Sequence, residues 1–361
     1  MTNQKLHGLR NILVMRLDNI GDVIMTSPAL RAIKENLPDC RLTLMTSPGG
    51  AQAVALLPWV DEVLPWRSLW QDLGKLDFDP VREWELVKIL QAGKFDAAII
   101  FTSFSQSPHP AAFLCYLAGI PLRFGESKEF SQGLITQEIP AAPDEIHQVE
   151  RNLRLIEAAG FQVSDRSLCI QIPEAAKQQA LTFLLHSSKY QNSQFAPYLL
   201  LNPWTSCQSR NYNSQRFAIA AHQLAEAIQM PVVVTGVEKD RDKSASLLAI
   251  LGEYAIDLIG KTTLPQLAAL IANAKLVLTN NTSTMHIADA TRTPTVVMFA
   301  GTELESQWQP RNDYSYLLRR PTVCSPCYAF SCPYNLECLD IPPEEVVATG
   351  LALIKKLSFN N

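Results

Sequence analysis

Short apolar runs alternate with stretches of helical periodicity along most of this chain. The runs over 11–15, 41–45, 62–65 and 96–101 are bounded by polar residues and read as strands. Between them, 29–36, 49–57 and 81–92 space their apolar residues as helices do. A polar loop over 102–110 follows, then helices over 111–118, 146–159 and 175–186. The polar run 187–194 reads as a solvated linker. The alternation then restarts, with strands over 198–202, 231–235, 255–259, 276–279 and 295–299. Helices are expected over 214–227, 243–251, 263–272 and 284–290, the third capped by Thr263 with Pro265 in its first turn. Two successive strand–helix series predict an α/β fold, two Rossmann-like domains facing a central cleft, each a parallel sheet covered by helices. The boundaries expected are 1–180 for the first domain and 195–361 for the second, which ends in a Cys-containing tail.

Composition narrows the class. With 47% apolar and 18% charged residues, the chain has a globular composition. A net charge of −4 and the lack of any basic block argue against a nucleic-acid partner. The first ten residues lack the apolar core of a signal peptide, and no apolar run approaches a membrane span. The expected location is cytoplasmic, with peripheral contact on the inner face of the membrane left open. An aromatic stretch around Trp59, Trp66 and Trp70 reads as core packing, with a membrane-facing patch as the alternative.

Of eight cysteines, Cys40, Cys115, Cys169 and Cys207 are scattered, as small buried hydrophobes are. The others form Cys324-x2-Cys327-x4-Cys332-x5-Cys338. That spacing suits a structural metal, disulfides in an oxidising setting, or plain packing, and all three stay open.

Candidate chemistry gathers where strands end. Asp22 stands where the first strand hands over to the first helix, and open α/β sheets bind ligands beyond the carboxyl ends of their strands. A carboxylate there serves either as a general base or as a helix cap. Asp18 is its rival. In the second half, the turn 203–210 offers hydroxyls at Thr205, Ser206 and Ser209 and a cation at Arg210. The segment Asn281, Thr282, Ser283, Thr284, Met285, His286 opens a helix. Helix N-termini, hydroxyls and cations suit a phosphate, with ordinary capping as the plain alternative. Beyond the strand 231–235, Asp240, ahead of Glu238, suits a ribose hydroxyl unless the loop is merely solvated. The loop 102–109, with Arg123 and Glu126, is a weaker candidate for acceptor contact.

Four places in order carry a resemblance. They are Ile20-Gly21-Asp22-Val23 with Thr26 and Pro28, and Asn202-Pro203-Trp204-Thr205-Ser206 with Arg210 and Gln215-Arg216-Phe217. The others are Gly260-Lys261-Thr262-Thr263-Leu264 and Thr279-Asn280-Asn281-Thr282-Ser283-Thr284-Met285-His286, followed by Thr293-Pro294. In these the chain resembles the heptosyltransferase family of glycosyltransferases, family 9. The resemblance implies GT-B architecture and inverting, metal-independent transfer of a sugar, first of all heptose from ADP-heptose. The implied acceptor is a lipopolysaccharide core or a related glycolipid or oligosaccharide of the cell surface. The implied base is Asp22. The implied donor-binding residues are Thr205, Ser206, Arg210, Asp240, Asn281, Thr282, Ser283, Thr284 and His286, with no metal and no cofactor beyond the nucleotide-sugar.

The chain also departs from the family pattern. Asn281 and Ser283 stand where the family commonly has Asp and Gly, Arg210 where Lys is common, and Asn202 and Trp204 where His and Gly are frequent. The departures keep three alternatives open: another nucleotide-sugar, an epimerase or hydrolase of the same architecture, and a catalytically silent nucleotide-sugar-binding protein.

Overall fold

Two parallel six-stranded sheets carry the chain, one in each of two units, Met1–Cys169 and Ile170–Asn361. The structure, a computed structural model, describes residues 8–72, 74–129, 133–185 and 197–358. The linker expected over 187–194 lies outside the described residues. Among those residues no helix is long and apolar enough to cross a membrane.

In the first unit, β1 (Asn11–Arg16) lies between β2 (Arg41–Thr46) and β4 (Ala97–Ile100), parallel to both, with Leu13 opposite Thr43 and Ala98. The strand β3 (Glu62–Pro65) extends the sheet beyond β2, and β5 (Leu122–Ser127) and β6 (Gln137–Pro140) extend it beyond β4. The chain therefore winds outward one way from β1 and the other way from β4. Residues 12–16 of β1 are all buried, as strands covered on both faces require. Leu13 and Met15 share a core with Leu86 and Leu90 of α3 (Pro80–Gly93) and Ala111 and Cys115 of α4 (His109–Leu117). Asp79 starts α3 by accepting the N–H groups of Val81 and Arg82, and Pro80 occupies the first turn, where it loses no hydrogen bond. The edge strands β3 and β6 end in Pro65 and Pro140, which have no N–H to offer a further strand.

The second unit repeats the plan around β7 (Leu199–Asn202) and β10 (Leu276–Asn280). Outward from β7 lie β8 (Val232–Val234) and β9 (Ala255–Asp257). Outward from β10 lie β11 (Thr295–Met298) and β12 (Ser315–Leu318). Leu201, Leu278 and Met298 pack with Phe217 and Leu224 of α7 (Ser214–Ile228) and Val346 of the last helix (Pro343–Ser358). Tyr212 sets its ring edge-on to Phe217 at 5.0 Å and donates its hydroxyl to the Ile341 carbonyl at 2.5 Å. The helix Leu264–Asn273 begins as expected at Thr263, whose N–H donates to the Gln266 side chain at 2.8 Å.

The pattern of apolar positions passed over β5, β6, β12 and the helix Pro343–Ser358. The strands β6 and β12 are edges, only partly buried, and β5 carries Arg123, Glu126 and Ser127 inward. Residues 49–57, read as an α-helix, form a 3₁₀ helix over Gly50–Leu56. Its start presses on the neighbouring loop, since a Cβ on Gly50 would lie 2.6 Å from the Asp18 carbonyl oxygen. Trp66 and Trp70 pack against the α3–α4 core, and Arg82 stacks over Trp66 at 4.2 Å. Cys40, Cys115 and Cys207 are buried and Cys169 is partly so; burial pushes the Cys115 thiol up to about 12.

Leu278 is fully buried in the second core, with neighbours on strands and helices. Leu278→Ala is expected to cost about 2–5 kcal/mol, read as a lowered urea midpoint at unchanged slope. A loss well under 1 kcal/mol would show that this site collapses around the cavity.

Candidate functional site

In the first sheet the order of strands reverses between β1 and β4, and in the second between β7 and β10. Loops leaving the carboxyl ends of such neighbours run in opposite directions and open a crevice. The candidate residues were read from strand ends, and the structure puts the main ones at these two reversals.

At the end of β1, Arg16 is fully buried and forks between two carboxylates. Its Nη2 donates to Asp22 Oδ1 and to Ser103 Oγ, both at 3.0 Å. Its Nε stands 3.0 Å from Asp18 Oδ2 as an ion pair. Ser103 belongs to the loop after β4, so one guanidinium ties both loops of the crevice together. A second tie runs beside it. Gln106 donates to Asp18 Oδ1 at 2.6 Å and accepts the Ser103 N–H at 2.8 Å. Asp22 sits in α1 (Ile20–Ile24), and its Oδ2 accepts the Asn19 N–H at 3.2 Å. Asp22 closes the helix start and leaves a carboxylate edge 19% exposed. Each carboxylate oxygen keeps a second lone pair able to accept a hydrogen bond.

Asp18 differs. Burial pushes its carboxyl above the usual range, and the negative charge of Asp22 adds to this. Arg16 and Gln106 pull the other way. Arg123, Glu126 and His109 are held by contacts within the first unit. Arg123 donates to the carbonyls of Leu134 and Ile120, both at 2.5 Å. Glu126 is buried between Arg151 and Arg154. His109 Nε2 lies 2.9 Å from Ser127 Oγ.

In the second unit, three loops meet at a carboxylate that the sequence reading missed. Glu303, beyond β11, takes Arg210 Nη2 on Oε1 at 2.6 Å and Asn281 Nδ2 on Oε2 at 3.3 Å. Asn281 Oδ1 in turn accepts the Ala300 N–H at 3.1 Å. Asn280 joins the loops beneath, accepting the Tyr212 N–H at 3.0 Å and donating to the Pro203 carbonyl at 2.8 Å. The only available signal for Glu303 was an acidic residue just past an apolar strand.

Thr282, Ser283, Thr284 and His286 lie at the start of α10 (Ser283–Ala290), with Thr284 and His286 buried. The Thr282 side chain makes no capping hydrogen bond, so simple capping does not account for it. In the 203–210 turn, Ser206 is exposed. Thr205 is not: its hydroxyl donates to the Cys207 carbonyl at 2.6 Å and accepts the Cys207 N–H at 3.1 Å, while its own N–H donates to Asn211. Thr205 shapes the turn. Ser209 is likewise engaged, donating to the Ala329 carbonyl.

Asp240 joins a separate cluster, 5% exposed, with Lys243 Nζ at 2.7 Å. That ammonium also stands 4.2 Å from the centre of the Trp204 ring, whose Nε1 donates to Ser244 at 2.7 Å. Glu238 is the more exposed carboxylate, held below the usual range by its hydrogen bonds from Arg241.

The chain's residues 83–336 match the family model of glycosyltransferase family 9 (heptosyltransferase). The chain is 26% identical over 348 residues to lipooligosaccharide heptosyltransferase 2 of Campylobacter jejuni, covering 94% of this chain and 96% of that one. Among solved structures, a family 9 glycosyl transferase from Veillonella parvula superposes with a TM-score of 0.76 at 19% identity, covering 96% and 97% of the two chains. E. coli ADP-heptose lps heptosyltransferase II gives 0.73 at 22% identity, covering 96% and 99%. The shared architecture is GT-B, and the chain is a glycosyltransferase enzyme. The family model spans more than half of its length, and the chain belongs to glycosyltransferase family 9, the heptosyltransferases.

The raised Asp18 carboxyl has a measurable consequence. The folded chain holds this proton more tightly than the unfolded chain does. Its contribution to stability is full below the ordinary value of 3.8 and is lost as pH rises through the higher folded value. Urea unfolding of wild type and Asp18→Asn across a pH series is expected to show the balance moving against wild type as pH rises from about 4 toward neutrality. A difference that stays flat would mean that Arg16 cancels the burial of Asp18.

Proposed function

We propose that this chain is an inverting, metal-independent transferase that moves heptose from ADP-heptose onto a lipopolysaccharide core or a related cell-surface glycan. The observation that carries the reading is the Asp22 carboxylate, fixed by Arg16 and the Asn19 N–H at the reversal of the first sheet, with an edge left open. The names of the similar enzymes supply the donor and the class of acceptor. The setting proposed is the cytoplasmic face of the inner membrane, where such an acceptor is anchored.

In this reading the acceptor hydroxyl gives its proton to Asp22 as its oxygen attacks the anomeric carbon. The carbon–oxygen bond to the diphosphate breaks on the opposite side, which inverts the centre, and the electron pair leaves with ADP. The developing phosphate charge is met by Arg210, the N-terminus of α10 and the polar groups of Ser206, Thr282, Ser283, Thr284 and His286. These groups do the work a metal does elsewhere. The ribose falls to the carboxylates beyond β8, Asp240 and Glu238. Asn281 in place of a carboxylate favours a second reading, the same transfer from a different nucleotide-sugar.

Two measurements test this. Asp22→Ala is expected to lower transfer by about 10²-fold or more while ADP binding holds. Transfer that survives intact would remove Asp22 as the base. ADP is also expected to raise thermal stability equally with magnesium and with a chelator, by about 2.7 kcal/mol at a hundred times its Kd. A preference for GDP or UDP would replace the donor, and a magnesium requirement would refute the metal-independent site.

A further inference from the structure

A second concentration of reactive side chains lies outside the site just described, in the segment 319–342 between β12 and the last helix. It holds little regular structure beyond the 3₁₀ turn Glu337–Leu339. Its end is fixed, with Cys338, Leu339 and Ile341 buried in the second core, but earlier in the segment Val323, Phe330 and Tyr334 are exposed. That earlier stretch has little apolar anchorage of its own and needs another constraint to keep one shape.

Cys324, Cys327, Cys332 and Cys338 all line one cavity of about 370 Å³, together with Gly301 and Thr302. None is in a disulfide. Two of the sulfurs are provided with backbone donors. The Tyr334 N–H points at Cys332 Sγ at 3.4 Å, and the Gly301 N–H is hydrogen-bonded to the Cys338 sulfur. Such bonds support the charged form of sulfur and orient metal ligands. Gly301 lets the walls approach, since a Cβ there would lie 3.2 Å from the Cys338 Cβ.

We propose that these four cysteines form a tetrathiolate site for one thiophilic metal ion, zinc or iron. All four thiols line the cavity, yet among the described residues no three metal-ligating side chains are grouped tightly enough to hold an ion without movement. Binding therefore draws the sulfurs inward, to about 2.3 Å from the ion, and releases the thiol protons to solvent. The role is structural. The Cys327 N–H donates to the Gly301 carbonyl at 3.1 Å and the Ser209 N–H to the Phe330 carbonyl at 3.1 Å. The ion would thus brace the backbone against which the Arg210 turn rests, without entering the chemistry of transfer.

The test uses the full chain, purified without chelator and analysed for zinc, iron and acid-labile sulfide. About one ion per chain is expected, with the metal found deciding between zinc and iron. Titrating wild-type thiols with a mercurial should release that ion. Cys327→Ser and Cys332→Ser should lose it, while Cys40→Ala keeps it. The wild-type titration stands even if a serine variant fails to fold. A reduced chain that carries neither metal, and takes up neither Zn²⁺ nor Fe²⁺ when these are added without oxygen, overturns the proposal. So does acid-labile sulfide in proportion to iron, which would mean a cluster in place of a single ion.

Discussion

The parallel pairing of β1 with β4, and of β7 with β10, is the constraint from which both candidate clusters follow. Neither pair is consecutive in the chain, so the loops after each pair must leave in opposite directions. Polar groups placed at these strand ends are held within reach of rigid strands, and many of them are deeply buried, so each needs a partner. Had β2 paired with β4, Ser103 and Asp22 would not have reached one guanidinium.

That geometry explains why Arg16 is tolerated with no solvent exposure. An isolated buried cation is costly, and its pairing repays the cost only when the geometry and the remaining hydrogen bonds are good. Here Asp22 and Ser103 take the hydrogen bonds of Nη2 and Asp18 lies beside Nε as an ion pair, while Nη1 is buried without a hydrogen-bond partner, so the compensation is partial. Charge is concentrated at the point where the chain turns from strand to helix, and the backbone of α1 takes one carboxylate oxygen for itself. The bonds that close the helix also fix the orientation of the Asp22 carboxylate.

The alternation of apolar runs made the two α/β series and most strands legible, because strands covered on both faces are apolar almost without interruption. Edges were harder. The strands β6 and β12 bury little and look like loops, and β5 turns Arg123 inward onto nearby carbonyls and Glu126 inward onto Arg151 and Arg154 of a later segment. At the sites, residue type and strand-end position pointed to Asp22, Arg210 and Asn281. Commitments made by neighbours stayed hidden. No periodicity tells that the Thr205 hydroxyl is bonded to Cys207, or that Asp240 pairs with Lys243, whose ammonium stands over Trp204.

Glu303 shows why such commitments matter. The family pattern commonly has a carboxylate at 281, and this chain has an amide. Read alone, that substitution leaves the corner short of a negative charge. In the fold, Asn281 uses its amide N–H to hold a carboxylate from the next strand's loop, and Arg210 holds the same group from the other side. The corner keeps one cation and one anion, with the anion moved one strand outward. A cation already paired at 2.6 Å is oriented before any ligand arrives. The exchange at 281 thus changes where the charge of this corner sits, with Glu303 in the loop after β11 carrying the anion.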